Sequence, residues 1–326
     1  MLTSPARTAV LGLGLIGGSL LRALTAAGYE VTGFDADPST RELARKAGYR
    51  VAGSVTEAVR DAELTALAVP LPVLPRVLAE LDGHAGLVTD VTSVKGPVRD
   101  LMSRHGVRRF VGGHPMAGKE TSGFAASEAD LFTGCAWVLC PEPDETDLGD
   151  WLRLARLCTA IGARVVPVTA AEHDTAVAQI SHVPHLFAAA LSARLAANPL
   201  AGALAAGSFR DGTRVAATRA ELIAAMCGGN AGAVRRELRS LIETLTEWDG
   251  LLAADDPVAA LIPPLHTAGE LRRAWPARPG TPEKLPASLP GLLELGRAGG
   301  WVTSVDDSEV VAVRPEVETL RPEGDR

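Results

Sequence analysis

The sequence is short of cysteine, of basic runs and of long apolar stretches, and each shortage excludes a class of protein. Its four cysteines are Cys135, Cys140, Cys158 and Cys227. Their spacing fits neither a Cys-x-x-Cys pair nor a disulfide framework. They read as reduced, mostly buried thiols of a cytoplasmic protein. No cluster of Lys or Arg stands out and the formal net charge is -7, which argues against a nucleic-acid partner or an anionic membrane surface. The most apolar stretches, such as Leu186 to Ala197, are Ala-rich, short and interrupted by Arg194, too little to span a bilayer. The first strand begins within ten residues of Met1, which is not the charged-then-apolar plan of a signal peptide. Aromatic residues are also scarce, but beside abundant alanine that is a compositional bias without functional content.

What is present is a 326-residue chain with 47% hydrophobic residues, enough for two domains and a small third piece. Through the first half, short β-rich runs alternate with helical stretches. Thr8 to Leu13, Glu30 to Asp35, Leu64 to Val69 and Gly86 to Val91 read as strands, with helices between them. Phe110 to Gly112, Ala136 to Cys140 and Arg164 to Val168 continue the series. This alternation predicts an α/β fold, a doubly wound parallel sheet over residues 1–168. From Thr169 the pattern changes. Ala170 to Ala197, Ala216 to Cys227 and Ala231 to Ala254 read as long helices, giving an all-α domain over 169–275. Pro184 falls inside the first of these and predicts a kink, with Ser181 and His185 still on one face. Pro263 and Pro264 open a looser stretch, and five prolines between 276 and 290 read as a linker. The rest of 276–326 reads as a helix (Gly291 to Ala298) and two strands, a small appended regulatory or packing module.

Gly12, Gly14 and Gly17 form GLGLIG, with Leu15 and Ile16 at the start of the helix it opens. The order strand, glycine loop, helix is that of a dinucleotide site, where backbone closely approaches a pyrophosphate. The second strand ends in Asp35, whose carboxylate can bond an adenosine ribose diol and repels a 2′-phosphate. The expected cofactor is therefore NAD, although Arg41 and Arg45 lie downstream and offer a phosphate two cations. Further polar segments gather at later strand ends and in the helical half: Asp90 to Lys95, Gly112 to Glu120, Glu172 to Asp174, Ser181 to His185 and Phe209 to Arg214.

GLGLIGGS, DVTSVK, GGHPMAGKE, EHD, ISHVPH and FRDGTR, in this order and spacing, resemble the prephenate/arogenate dehydrogenase family over roughly residues 8 to 230. The resemblance implies a nucleotide-binding domain, a helical dimerisation domain and an active site between them. It implies NAD-dependent oxidative decarboxylation of prephenate, or of arogenate, in tyrosine biosynthesis, by a homodimer. By motif, His114 matches the catalytic histidine that bonds the ring hydroxyl and Ser93 the serine supporting it. Ser181 and His185 match substrate-side residues, and Arg214 the arginine that binds a substrate carboxylate. Just beyond, the family often has a proline and a tryptophan where this chain has Arg219 to Ile223, so the local pocket wall departs from the pattern.

Elementary chemistry agrees with those roles. Hydride loss from an alcohol carbon requires a base for the hydroxyl proton, and a neutral imidazole suits that task near neutral pH. An arginine suits a bidentate carboxylate contact. Other residues have plainer readings. His182 and His185 have HxxH spacing, but nothing nearby completes a metal set, so no metal is expected. His173 and Asp174 read as a helix-start pair with a structural role. Lys95 is open to two readings, a solvated charge or a positioning group. Two rival functions share part of this pattern. A β-hydroxyacid dehydrogenase relies on a lysine in its helical half, and no lysine lies between Lys119 and Lys284 here. A non-catalytic dinucleotide sensor would keep GLGLIG and Asp35 but would not need His114, Ser93 and Arg214.

Overall fold

Residues 9 to 13 show how the sheet is built: Ala9 and Leu11 enter one buried cluster, Val10 and Leu13 another. Period-two alternation with both faces apolar makes a strand covered on both sides, as in a doubly wound sheet. The computed structural model describes residues 7–81 and 83–316. The described residues form ten strands: β1 (Thr8–Leu11), β2 (Val31–Phe34), β3 (Leu64–Leu67), β4 (Leu87–Asp90), β5 (Phe110–Pro115), β6 (Ala136–Cys140), β7 (Arg164–Pro167), β8 (Glu283–Pro286), β9 (Trp301–Val305) and β10 (Glu309–Val313). Their order in one sheet is β2-β1-β3-β4-β5-β6-β7-β9-β10-β8. Strands β1 to β5 are parallel, β6 turns antiparallel to β5, and β7 runs parallel to β6. The chain steps from β1 outward to β2 and then back across to β3, which creates the crevice where such sheets bind ligands.

The tail departs from the sequence expectation of an appended module. Strand β9 pairs antiparallel with β7 through Val302 and Val165, and β10 pairs with β9 and β8. Leu292, Leu295, Val302, Val310 and Ala312 share the main core with Trp151 and Val165. Helix Leu289–Arg297 lies so close to β7 that a Cβ on Gly296 would stand 1.7 Å from the Pro167 carbonyl oxygen. The proline-rich stretch is pinned as well: the Gly280 amide donates to the Arg314 carbonyl at 2.8 Å, and Pro279 bridges Pro315. The chain thus leaves the sheet after β7, builds the helical half, and returns to finish the sheet. Local sequence could not show this, because a pairing 137 positions apart, Val165 with Val302, leaves no periodic mark.

The helical half begins at a capping box. The Thr169 hydroxyl accepts the Glu172 amide and the Glu172 carboxylate accepts the Thr169 amide. The predicted helix from Ala170 is divided into Ala170–Val177, a π-helical turn at Ala178–His182, and Val183–Ala193. The extra residue of the π turn sits just before Pro184, whose missing N–H cannot continue the regular ladder. Instead of a plain kink, the helix widens by one turn and buries His182 while Ser181 and His185 stay partly exposed. Pro263 and Pro264 also differ from expectation, lying inside helix Pro257–Ala274. That helix is capped by Asp256, whose side chain accepts the Ala259 amide at 3.0 Å, and it packs on Ala231–Leu252. Cap and packing offset the hydrogen bonds the prolines remove. No helix among the described residues is long and apolar enough to cross a membrane.

Candidate active site

The glycine loop joins β1 to helix Leu15–Ala26. Gly12 has φ +96°, and a Cβ there would stand 2.4 Å from the Ala68 carbonyl oxygen. At Gly17 a Cβ would meet the Gly12 carbonyl at 1.8 Å, so both positions demand glycine for packing. Gly14 differs, with nothing within 4 Å of its Cβ direction. The helix N-terminus beyond it, at Leu15 and Ile16, has no side-chain cap and no acidic residue in its first turn. Its amide groups and open side fit an anionic ligand. Asp35 is held at the rim, its Oδ2 accepting the Leu13 amide at 2.7 Å and its Oδ1 the Asp37 amide at 2.9 Å. The two downstream arginines are engaged elsewhere. Arg41 donates to the Asp35 and Ala36 carbonyls and stacks over Phe34, while Arg45 donates to the Val51 carbonyl at 3.4 Å.

At the ends of β4 and β5 lies a buried ion pair. Asp90 is 0% and Lys95 1% exposed, and the Lys95 ammonium donates to the Asp90 carboxylate and, at 2.5 Å, to the Gly113 carbonyl. The other Asp90 oxygen accepts the Gly113 amide at 3.1 Å, and Thr92 donates to the same carboxylate. Such a pair survives burial only when its remaining donors and acceptors are satisfied, as they are here. Lys95 is therefore a buried strut and not a solvated charge. It fixes the backbone of β5 one residue before His114. That histidine lies in the strand itself, since β5 runs on to Pro115, beyond the Gly112 limit read from sequence.

His114 faces the first turn of helix Ala170–Val177. Its Nδ1 lies 2.9 Å from His173 Nε2, with the rings edge to face at 79°. His173 Nδ1 in turn lies 2.8 Å from Asp174 Oδ1. Asp174 also accepts the Lys95 and Gly96 amides, each at 2.8 Å, at the start of helix Gly96–Arg104. Burial, and then the neighbouring His173, Lys95 and His182, hold His114 well below its ordinary histidine value. Burial likewise lowers His173, and lowers His182 to about 4. Burial pushes Asp174 upward, but its donors His173, Lys95 and Gly96 leave it below its ordinary value. An ionised Asp174 can only accept, so His173 donates from Nδ1 and presents a lone pair at Nε2. His114 must then donate from Nδ1, which leaves the Nε2 lone pair of a neutral imidazole unspent. His173 and Asp174, read from sequence as a structural pair, stand behind the candidate base. The signal was available in two adjacent titratable residues opening a helix at a domain boundary. What sequence could not supply was the 59-residue separation from His114 closing to a contact.

The remaining candidates sit around this centre. Ser93 is half-buried on the loop between Asp90 and Lys95, and its hydroxyl makes no hydrogen bond among the described residues. His182 and His185 do not share a site. His182 is buried against Asn230, at 3.3 Å, whereas His185 Nδ1 faces the Val215 carbonyl at 3.3 Å. That contact carries the turn containing Arg214 against helix Val183–Ala193. Arg214 is exposed and has no ion pair among the described residues. Ser181 is half-buried on the π turn. Asn230 was not anticipated. It donates to the Asp174 carbonyl at 2.6 Å and so ties helix Ala170–Val177 to helix Ala231–Leu252.

Fold and site together define a class: two-domain proteins whose N-terminal nucleotide-binding sheet carries a histidine against a helical second domain. Residues 20–167 match the family described as prephenate dehydrogenase, nucleotide-binding domain, and 169–259 its dimerization domain. A solved structure from Corynebacterium glutamicum, assigned as a prephenate dehydrogenase, is 35% identical with a TM-score of 0.77, over 84% of this chain and 91% of that one. The arogenate dehydrogenase of Synechocystis is 30% identical with a TM-score of 0.75, over 82% of this chain and 99% of that one. The prephenate dehydrogenase of Bacillus subtilis is 36% identical over 64% of this chain and 59% of that one. The chain spans about three fifths of the length of the first curated relatives it matches. The chain belongs to the prephenate dehydrogenase family.

Proposed function

We propose that this protein is an NAD-dependent prephenate dehydrogenase, forming 4-hydroxyphenylpyruvate and CO₂. The observation that carries the reading is His114, a half-buried neutral imidazole on the nucleotide-binding sheet with its Nε2 lone pair unspent. Gly12, Gly14, Gly17, the helix opening at Leu15 and Ile16, and Asp35 would hold the dinucleotide, which when bound supplies the hydride acceptor. His114 Nε2 takes the ring hydroxyl proton as the carbon loses hydride, and Ser93 supports that hydroxyl. Loss of the ring carboxylate makes the ring aromatic, which drives the reaction forward. The protein's main task is then to orient the substrate and hold its two carboxylates. Arg214 takes one of them, with Ser181 and His185 beside it.

Arogenate is the second reading, favoured by the similarity to the Synechocystis enzyme and by the altered wall at Arg219 to Ile223. Assaying NADH formation with prephenate and arogenate in parallel, and with NAD and NADP, tests all of this. Turnover of neither substrate would refute it. The working form is a homodimer through the helical half. There Ala178, Val183, Ala233 and Val234 form a small buried cluster, while Ile242, Leu252, Ile262 and Leu265 are exposed. The free thiols fit a cytoplasmic location.

A further inference from the structure

Asp174 is a buried anion, 8% exposed, and among the described residues no lysine or arginine pairs with it. The nearby Lys95 charge is already matched by Asp90. Asp174 is held instead by two backbone amides at a helix start and by His173. Three hydrogen bonds keep this carboxylate ionised without a cation, so it can also stabilise a positive charge that arrives beside it during function. One can arrive, because His173 separates Asp174 from His114 by two hydrogen bonds of 2.8 and 2.9 Å.

We infer that His114, His173 and Asp174 form a two-histidine relay in which His173 and Asp174 are positioning residues supplied by the helical domain. The inference rests on the proposed dehydrogenase reaction. As the substrate O–H bond breaks, its proton forms a bond to His114 Nε2, and the O–H electron pair becomes part of the new carbonyl. Bound NAD would supply the acceptor for the hydride that the same carbon loses. The His114 Nδ1–H bond then breaks and a His173 Nε2–H bond forms, so the positive charge comes to rest beside Asp174. After product leaves, the proton returns along the same path and passes from His114 Nε2 to water. The other charged or titratable groups around the pair are Asp90 and Lys95 on the β4 loop, Cys140 and Glu142 at the end of β6, and His182 on the π turn. Asp90 and Lys95 compensate each other, Glu142 pairs with Arg99 at 3.5 Å and accepts the Ala170 amide, burial raises the Cys140 thiol, and burial keeps His182 neutral, so none of these takes over the role of Asp174.

The relay has a second consequence. Strand β5 carries the base, but the group that sets its tautomer comes from the other domain. The base is therefore competent only while the helical domain is docked, whatever the nucleotide domain binds.

The test uses the full-length protein labelled with ¹⁵N-histidine, together with His173→Gln and His173→Asn. Glutamine places an amide where Nε2 stood and keeps a partner for His114. Asparagine places one where Nδ1 stood and keeps the bond to Asp174. Nitrogen spectra of the wild type should show both His114 and His173 protonated at Nδ1 near neutral pH. Both variants should lose about 10-fold or more in kcat with KM nearly unchanged. The acid limb of kcat should move to lower pH, because the protonated pair has lost its anionic end. His173→Gln should be the milder, since it still orients His114. A wild-type His114 protonated at Nε2, or variants with wild-type kcat and acid limb, would overturn the relay. If the wild type formed NADH from neither prephenate nor arogenate, the proposed reaction would fall, and the nitrogen spectra would still decide the relay by themselves.

Discussion

Asp174 and Gly96 meet across the domain junction, Asp174 Oδ2 accepting the Gly96 amide at 2.8 Å. The carboxylate sits at the N-terminus of helix Gly96–Arg104, where the helix dipole favours negative charge. One side chain thus docks the helical half on the sheet and orients the candidate base. Asp174→Ala strands two amides and the His173 Nδ1–H in a buried place. It should cost about 1–3 kcal/mol for each donor left unsatisfied. Urea unfolding would measure this, and an unchanged midpoint would mean that water replaces the carboxylate without loss.

The C-terminal segment should prove to be part of the core. Leu295 is 0% exposed and packs in the main cluster. Leu295→Ala should destabilise the protein by about 2–5 kcal/mol. Gly296→Ala should do at least as much harm, since its Cβ would overlap the Pro167 carbonyl. Truncation before residue 280 exposes the β7 edge and should yield an unfolded or aggregated chain. Circular dichroism and thermal melting of the three variants check this, and a truncated protein with native melting would show the tail to be dispensable.

Asp35 should set cofactor preference. Replacing it by Ser removes both the ribose acceptor and the repulsion of a 2′-phosphate. NAD should bind more weakly and NADP better, read as opposite changes in KM. Arg41 is already committed to backbone carbonyls, so the gain for NADP should be modest. A wild type that already preferred NADP would contradict the role given to this carboxylate.

Arg214 should act on binding rather than on the chemical step. Arg214→Ala removes a charge-assisted carboxylate contact and should weaken substrate binding by about 1.5–3 kcal/mol, seen mainly in KM. A fall in kcat at unchanged KM would place the arginine in the transition state instead.

The nucleotide half was legible in the sequence because its signals are local. Buried strands, the glycine loop and Asp35 follow one another within about one βαβ unit, and the structure places them in that order. The helical half was legible as helices but not in its detail. The π turn before Pro184 and the prolines at 263 and 264 depend on caps and packing that periodicity does not encode. The tail's place in the main sheet is illegible for a third reason. A helix and two strands look alike in sequence whether they stand alone or complete a sheet. At the site, motif resemblance supplied His114, Ser93 and Arg214. The contacts that give His173, Asp174, Lys95 and Asn230 their supporting roles emerge only when chain segments tens of residues apart are brought together.

The central claim is that His114 accepts the substrate's proton on a neutral, half-buried ring. The direct measurement is the pH dependence of kcat for NADH formation from prephenate by the wild type, run beside His114→Asn. Burial lowers the folded-state value of His114 below 6.5, so the base is present above that pH and is lost only as pH falls through the lowered value. The wild type should therefore keep its rate at pH 6.5 and lose it on a limb at lower pH. His114→Asn should lose about 10²-fold in kcat, roughly 3 kcal/mol in the barrier, with KM changed much less and that limb abolished. Near-normal turnover in His114→Asn with the same acid limb would contradict the account and move the base to another group, His185 first.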